Sequence, residues 1–105
     1  MPSSSKKPTA PSLSEQAQTI SATLTERGSR YGTFVGHAAI TQEIKDVLHR
    51  SQNWQKLAAD QKEALEMVAH KMGRILNGDP NYADSWHDIA GYSALVDDRL
   101  NGVVR

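Results

Sequence analysis

Four carboxylates on two consecutive predicted helices have the clearest capacity for chemistry. Glu63 and Glu66 stand three residues apart, and Asp84 and Asp88 stand four apart. Side chains at these spacings are neighbours on a helix surface, so Glu63 and Glu66 can share one divalent cation. Magnesium takes oxygen ligands and keeps waters and substrate phosphates in its coordination shell. The spacing therefore predicts a Mg²⁺ site for a phosphorylated ligand.

Basic and aromatic side chains near these carboxylates could bind the rest of a nucleotide. Lys71 and Arg74 follow the glutamates on the same helix. They could neutralise phosphates, the lysine as a point charge and the arginine in a bidentate way. Tyr31, Trp86 and Tyr92 could stack on a base, although such side chains are also typical of a core or an interface.

The same residues also have a purely structural interpretation. A polar stripe opposite an apolar one is what any surface helix shows. Asp84 could cap a helix, and Asp88 could pair with Arg74 or Lys71 across two helices. Gly91 costs about 1 kcal/mol relative to alanine inside a helix, so either a tightly packed helix or an approaching ligand should explain it.

Composition excludes several classes of protein. Twelve basic and twelve acidic residues cancel over 105 residues, so no global field favours DNA, RNA or an anionic membrane. The absence of cysteine excludes disulfides and thiolate metal sites, and His87 lacks the further ligands of a zinc site. No segment approaches a membrane span of about 20 apolar residues, so we expect a cytoplasmic protein. A core of this size is marginal, which favours a homo-oligomer.

The hydrophobic spacing is helical after an N-terminal arm. Residues 1–11 are rich in Ser, Pro, Lys and Thr and are predicted to be disordered. Residues 12–105 are predicted to form a single all-α domain, a compact bundle of about four helices. The first helix begins with a capping box of Ser12 and Glu15 and ends at Gly28.

The other three helices have signals of similar kind. The second is predicted over residues 37–51, after an ordered loop over residues 30–36, with His37 and His49 at the surface or in loops. The third opens with an Asp60 capping box and closes at Asn77-Gly78. Asp84 is the predicted N-cap of the fourth, which runs to about Leu100. The residues of the second, third and fourth helices that are expected to face the core are Ile40, Ile44, Val47, Leu48, Ala64, Leu65, Val68, Ala69, Met72, Ile75, Leu76, Trp86, Ile89, Val96 and Leu100.

Two motifs resemble a family of small proteins from tailed phages and prophages. One is R-x-x-x-Y-G, carried by Arg27, Tyr31 and Gly32. The other is K-x-x-R followed by D-S-W-x-D-I-A-G-Y, within residues 71–92. The resemblance spans roughly residues 20–98 and implies a phage or prophage accessory protein in the host cytoplasm. The family has no established activity.

A looser similarity, to the MazG-like all-α nucleoside triphosphate pyrophosphatases, implies chemistry. Those enzymes hold Mg²⁺ with E-x-x-E on one helix and E-x-x-D on the next, and assemble as dimers or tetramers. Glu63 and Glu66 match the first pair. Asp84 and Asp88 stand near the second but are four apart, with His87 where the motif has Asp. The similarity implies a metal-bound water as the nucleophile, with no single catalytic residue assigned.

Two functions follow from these observations. One is a nucleotide-binding phage protein that could also hydrolyse its ligand with Mg²⁺. The other is a non-enzymatic oligomeric protein that binds a host protein or sequesters a nucleotide messenger. The two functions differ in their dependence on metal. A Mg²⁺-dependent hydrolase should lose activity when the metal is chelated, whereas a structural pairing of Asp88 with Lys71 or Arg74 should not respond to chelation.

Overall fold

The fold is all-α, as the sequence predicts. The computed structural model describes residues 12–105, so the predicted disordered arm lies outside the described residues. No strand occurs within residues 12–105, and none of the helices there is long and apolar enough to span a membrane. The helices are α1 (Leu13–Tyr31), α2 (Phe34–Arg50), α3 (Ala59–Asn77) and α4 (Ala83–Leu100), with a 3-10 turn (Trp54–Lys56) between α2 and α3.

The third helix, α3, is the centre of the molecule. It packs along α2 on one side and along α4 on the other, whereas α1 makes few contacts with α2 and α3. His70 and Gly73 face α2, while Asp60 and Lys71 face α4. Residues 12–29 of α1 and its cap are exposed, so α1 meets the other helices through its C-terminal end.

The start of α1 is as predicted, but its end is not. The backbone N–H of Glu15 donates to Ser12 Oγ at 3.1 Å, and that of Ser12 donates to the Glu15 carboxylate at 3.4 Å, which completes the capping box. The predicted end at Gly28 is wrong, because the helix continues to Tyr31. Gly32 ends it with a φ of 76°, a left-handed conformation that favours glycine.

The predicted ordered loop over residues 30–36 is reduced to a two-residue corner. The second helix begins at Phe34, earlier than expected, because Thr33 caps it. The Thr33 hydroxyl accepts from the backbone N–H of Gly36 at 3.2 Å. Because Thr33 caps the helix, residues 34–36, which were predicted to be loop, form the first turn of α2.

The predicted caps of α3 and α4 are both wrong. The third helix begins at Ala59, and Gln61 accepts from the backbone N–H of Ala58 at 2.8 Å, so Asp60 is not the cap. Tyr82 occupies the N-cap position of α4, and Asp84 lies in the first turn. A carboxylate there still suits the helix dipole. The predicted end of α3 at Asn77-Gly78 is confirmed.

The core is small and contains polar groups. His37, expected at the surface, is buried between α2 and α3, where its Nε2 lies 3.0 Å from the carbonyl of His70. That contact satisfies the ring nitrogen, so burial carries little penalty. His49 is exposed as expected. The residues expected in the core but found exposed are Val47, Leu65, Met72, Leu76, Trp86 and Leu100.

Candidate functional site

Three arginines and two tyrosines line a pocket of about 280 Å³ where the end of α1 meets α3 and the start of α4. We call it the arginine–tyrosine pocket. Its lining residues are Thr23, Glu26, Arg27, Arg30, Tyr31, Arg74 and Tyr82.

The C-terminal end of α3 holds the α1–α2 corner in place beside this pocket. The Asn77 side-chain amide donates to the carbonyls of Tyr31 and Thr33, both at 2.8 Å. The backbone N–H of Asp79 donates to the carbonyl of Arg30 at 2.8 Å. A Cβ at Gly32 would collide with Asn77, so the glycine of R-x-x-x-Y-G is required by this contact as well as by its backbone angle. We refer to these hydrogen bonds as the Asn77 clamp.

Arginine and tyrosine side chains alternate across the pocket. The Arg74 guanidinium lies 4.2 Å from the centre of the Tyr31 ring, and the Arg30 guanidinium lies 4.5 Å from the centre of the Tyr82 ring. The two rings meet edge to face with centroids 5.9 Å apart. Each cation–π contact contributes about 0.5–1 kcal/mol. These contacts therefore hold two guanidinium groups in fixed positions before any ligand arrives.

The pocket carries an excess of positive charge. Its carboxylate, Glu26, lies 3.5 Å from the Arg30 guanidinium, but both side chains are substantially exposed and the pair is weak. Within residues 12–105, Arg27 and Arg74 make no ion pair. The Nε of Arg30 is buried and has no hydrogen-bond partner in that part of the chain. The arrangement suits an anion.

Tyr82 is held in its neutral form at the edge of the pocket. Its hydroxyl donates to the Asp84 carboxylate at 2.9 Å. This hydrogen bond, with a smaller contribution from burial, raises the pKa of Tyr82 above its usual value. Asp84, predicted as a metal ligand, therefore orients an aromatic ring of the pocket.

The other predicted metal ligands do not lie together, and two of them bond to different side chains. His49 Nε2 lies 2.9 Å from Glu66, and Lys71 Nζ lies 2.9 Å from Asp88. Glu63 lines an apolar groove between α3, α4 and the C-terminal residues. No group of three or more His, Asp or Glu side chains within residues 12–105 is arranged to hold a metal ion. The Mg²⁺ site stays a prediction from the sequence.

The two predicted phosphate-binding residues lie in different surroundings. Arg74 lines the arginine–tyrosine pocket, whereas Lys71 is buried between α3 and α4. The hydrogen bond and charge of Lys71 lower the pKa of Asp88. This is the helix-to-helix pairing that the structural interpretation of the sequence expected.

The predicted aromatic residues are also separated. Tyr31 lies in the pocket. Tyr92 lies along the apolar groove that contains Glu63. Trp86 is exposed on α4, and its indole N–H donates to the carbonyl of Pro80 at 2.8 Å. Of the residues predicted to bind a nucleotide, the structure brings together Arg74 and Tyr31.

Three of the arginine and tyrosine residues that line the pocket were not predicted as site residues. Arg27 belongs to the R-x-x-x-Y-G motif, and Arg30 lies three residues later on a neighbouring part of the helix surface. The positions of Arg27, Arg30 and Tyr31 in one helix could have indicated a shared basic and aromatic face. Tyr82 carries no such signal, since only the α3–α4 connection brings it to α1.

A neutral histidine, His70, lies one helical turn before Arg74 on α3 and faces α2. Burial, followed by the positive charges around it, lowers the pKa of His70 to about 4. The ring of His70 meets that of His37 edge to face with centroids 4.5 Å apart. His70 is therefore uncharged at neutral pH and adds nothing to the charge of the pocket.

Comparisons with known proteins place the chain in a family without assigning it an activity. No curated protein and no solved structure matches it. A family model described as a domain of unknown function, DUF6378, matches residues 13–100, a range that includes every residue of the arginine–tyrosine pocket. The chain belongs to the DUF6378 family.

Proposed function

We propose that the protein binds a phosphorylated nucleotide in the arginine–tyrosine pocket and retains it without hydrolysis. One observation carries this proposal: three guanidinium groups and two tyrosine rings converge on a site with a single, weakly paired carboxylate. Such a site fits a binding protein that sequesters a nucleotide, the non-enzymatic function considered from the sequence.

The chemistry of the pocket supports a phosphate and a base as its ligand groups. Arginine binds phosphate through parallel N–H donors, and charge-assisted hydrogen bonds are the stronger ones. Arg74 lies over one face of the Tyr31 ring, and Arg30 lies over one face of the Tyr82 ring. A base could therefore stack on the uncovered face of a guanidinium group or of a tyrosine ring. The volume of about 280 Å³ is small for a ligand site, so a mononucleotide fits better than a dinucleotide.

The contacts of the carboxylates support binding rather than hydrolysis. A Mg²⁺-dependent pyrophosphatase would use Glu63, Glu66, Asp84 and Asp88 together. Three of these four bond instead to histidine, tyrosine and lysine side chains. No contact within residues 12–105 favours hydrolysis over binding. A phage or prophage origin, host-protein binding and a cytoplasmic location remain predictions from the sequence.

The test is nucleotide binding by calorimetry, with and without EDTA, using ATP, GTP and cyclic nucleotides. We expect one nucleotide class to bind, EDTA to have no effect, and Arg74→Gln to weaken binding roughly 10- to 100-fold, since hydrogen bonds to charged groups contribute about 1.5–3 kcal/mol. Arg50→Gln is the matched control, because it removes the same charge from an exposed position at the end of α2.

Two results would contradict the proposal. Equal loss of affinity in Arg74→Gln and Arg50→Gln would show that binding depends on general charge and not on the pocket. Loss of nucleotide binding in EDTA, with release of pyrophosphate when Mg²⁺ is restored, would support the metal-dependent enzyme instead.

A further inference from the structure

Among the residues that line the arginine–tyrosine pocket, Glu26 is the one that carries a carboxylate, and it stands beside three arginines. A carboxylate repels phosphate, so it would lower the affinity of a site that bound phosphate alone. Its presence in the pocket is explained if it meets a part of the ligand that donates hydrogen bonds. The question is which ligand group carries such donors.

The Glu26 carboxylate is available to a ligand. Its Oε1 lies 3.5 Å from Arg30 Nη2, beyond the usual length of a hydrogen bond, and 65% of the side chain is exposed. Within residues 12–105, its Oε2 makes no hydrogen bond. An exposed pair of this kind adds little to the stability of a helix. Both carboxylate oxygens can therefore accept hydrogen bonds from a ligand.

The Arg30 guanidinium is held beside this carboxylate. Its central carbon lies 4.5 Å from the centre of the Tyr82 ring, and the Tyr82 hydroxyl in turn donates to Asp84 at 2.9 Å. These contacts limit the positions that the guanidinium can take. Glu26 and Arg30, which we call the Glu26–Arg30 pair, therefore present two acceptor oxygens and a group of N–H donors side by side.

Guanine is the common base whose edge best matches this pair. It presents the O6 acceptor next to two donors, N1–H and the N2 amino group. Two adjacent N–H donors can bond to the two oxygens of one carboxylate, and arginine is the most frequent specific partner of guanine O6. Adenine, cytosine and uracil each place a single donor group beside an acceptor. Each of them would therefore leave one carboxylate oxygen without a partner.

We infer that the ligand of the pocket is a guanine nucleotide whose base is recognised by the Glu26–Arg30 pair. This inference rests on the proposed binding of a phosphorylated nucleotide. Arg27 and Arg74 make no ion pair within residues 12–105, so both remain for the phosphate. Glu26 then selects between bases, while these two arginines supply the affinity that all nucleotides share.

The first test compares bases on the wild-type chain by calorimetry. We expect guanosine monophosphate to bind roughly 10- to 100-fold more tightly than adenosine monophosphate. Inosine monophosphate keeps O6 and N1–H and lacks only the N2 amino group, so it should bind about 10-fold more weakly than the guanine nucleotide. Equal affinity for all three would overturn the recognition of guanine and leave the proposed function intact. No binding of any nucleotide would overturn both.

The second test is a change of specificity that a merely structural Glu26 would not produce. In Glu26→Gln, one acceptor and one donor replace two acceptors, an arrangement that fits N1–H and O2 of xanthine but opposes one guanine donor. The ratio of affinities for guanosine and xanthosine monophosphate should therefore fall roughly 10- to 100-fold.

Glu43→Gln is the matched control for this variant, because it removes the same charge from an exposed position on α2 outside the pocket. Taking the ratio of two nucleotides cancels the general effect of a lost negative charge on phosphate binding. An unchanged ratio in Glu26→Gln, or an equal fall in Glu43→Gln, would contradict the inference. Circular dichroism confirms that each variant keeps its helices.

Discussion

The two sides of α3 are held by different kinds of contact. On the side that faces α2, the buried contacts are neutral and close: Gly73 lies against Thr41 and His37, and the rings of His37 and His70 meet edge to face. The contact between His49 and Glu66 lies at the more exposed edge of this side. A Cβ at Gly73 would collide with the Thr41 hydroxyl, so the two helices approach as closely as glycine allows. The buried part of this side therefore depends mainly on side-chain volume.

On the side that faces α4, ion pairs join the helices. Lys71 bonds to Asp88 at 2.9 Å, and Arg99 binds both carboxylate oxygens of Asp60 at 2.6 and 2.7 Å. Within residues 12–105, no glycine makes a close contact on this side, and no atom of a neighbouring element lies within 4 Å of a Cβ placed at Gly91. Substitutions that change volume should therefore act mainly on the α2 side, and substitutions that change charge should act mainly on the α4 side.

The largest expected effect is that of Gly73→Ala. The added methyl group would overlap the buried Thr41 side chain, which should lower the free energy of unfolding by roughly 2–3 kcal/mol, measured by urea denaturation. Thr41→Ala in the same chain should restore much of this loss. It removes the overlapping atoms, and the Thr41 hydroxyl has no hydrogen-bond partner within residues 12–105. An unchanged urea midpoint in Gly73→Ala would show that the helices can move apart freely.

Acidification should weaken the α2 side before the α4 side. The pKa of His70 is about 4 when folded and 6.5 when unfolded, so the unfolded chain binds the proton first as the pH falls. This contribution is fully present above pH 6.5 and is lost toward pH 4, at a cost on the order of 2 kcal/mol after allowance for solvent screening. The measurement is urea denaturation between pH 7 and 4.5.

The control for acidification is His70→Gln, which should flatten the pH dependence in that range. The pKa values of Asp60 and Asp88 are lowered by their Arg99 and Lys71 partners. Their stabilising contributions are therefore present above about pH 3.8 and are lost as the pH falls below it. A pH dependence that survives His70→Gln would assign the effect to another group.

Removing a charge on the α4 side should lower the free energy of unfolding by less than Gly73→Ala does. Asp88→Asn leaves the buried Lys71 without its carboxylate, so the urea midpoint should fall. The double variant Lys71→Met with Asp88→Ala should recover stability, because an apolar replacement removes both charges. Neither Mg²⁺ nor EDTA should shift the wild-type midpoint. A Mg²⁺-dependent rise that Asp88→Asn abolishes would instead support the predicted metal site.

The smallest expected effect is an increase in the free energy of unfolding. Gly91→Ala should raise the free energy of unfolding by up to about 1 kcal/mol, since alanine is the better helix former and nothing within residues 12–105 crowds the position. The tight helix packing considered for Gly91 is therefore wrong within this chain. A loss of stability or of ligand affinity in Gly91→Ala would show that a ligand or a second copy covers this face.

Helix ends could be predicted where neighbouring residues determine them, but not where residues far apart in the sequence do. The Ser12 capping box and the Asn77-Gly78 stop were predicted correctly from neighbouring residues. Gly28 was taken as a helix end because glycine is a common stop signal, but its cost of about 1 kcal/mol is small and the real end is set at Gly32 by contact with Asn77. That contact joins residues far apart in the sequence.

The same limit applies to the candidate site. Arg74 and Tyr31 were both proposed for nucleotide binding, and the structure brings them together. Their contact joins α3 to the end of α1, and Arg30 meets Tyr82 of the α3–α4 connection. No local pattern could show these contacts. Lys71 was also predicted to bind phosphate, but it lies outside this pocket and pairs with Asp88 on another helix, a contact that no local pattern indicates.

The Asn77 clamp also bears on the order in which the helices pack during folding. The carbonyls of Tyr31 and Thr33 bond to a side chain more than forty residues further along the chain. Closing so long a loop carries an entropic cost that early local contacts do not repay. During synthesis, the corner between α1 and α2 must wait until residue 79 has emerged before its direction is set. We therefore expect the direction of α1 to be set only after α3 is complete, so the pocket forms late in folding.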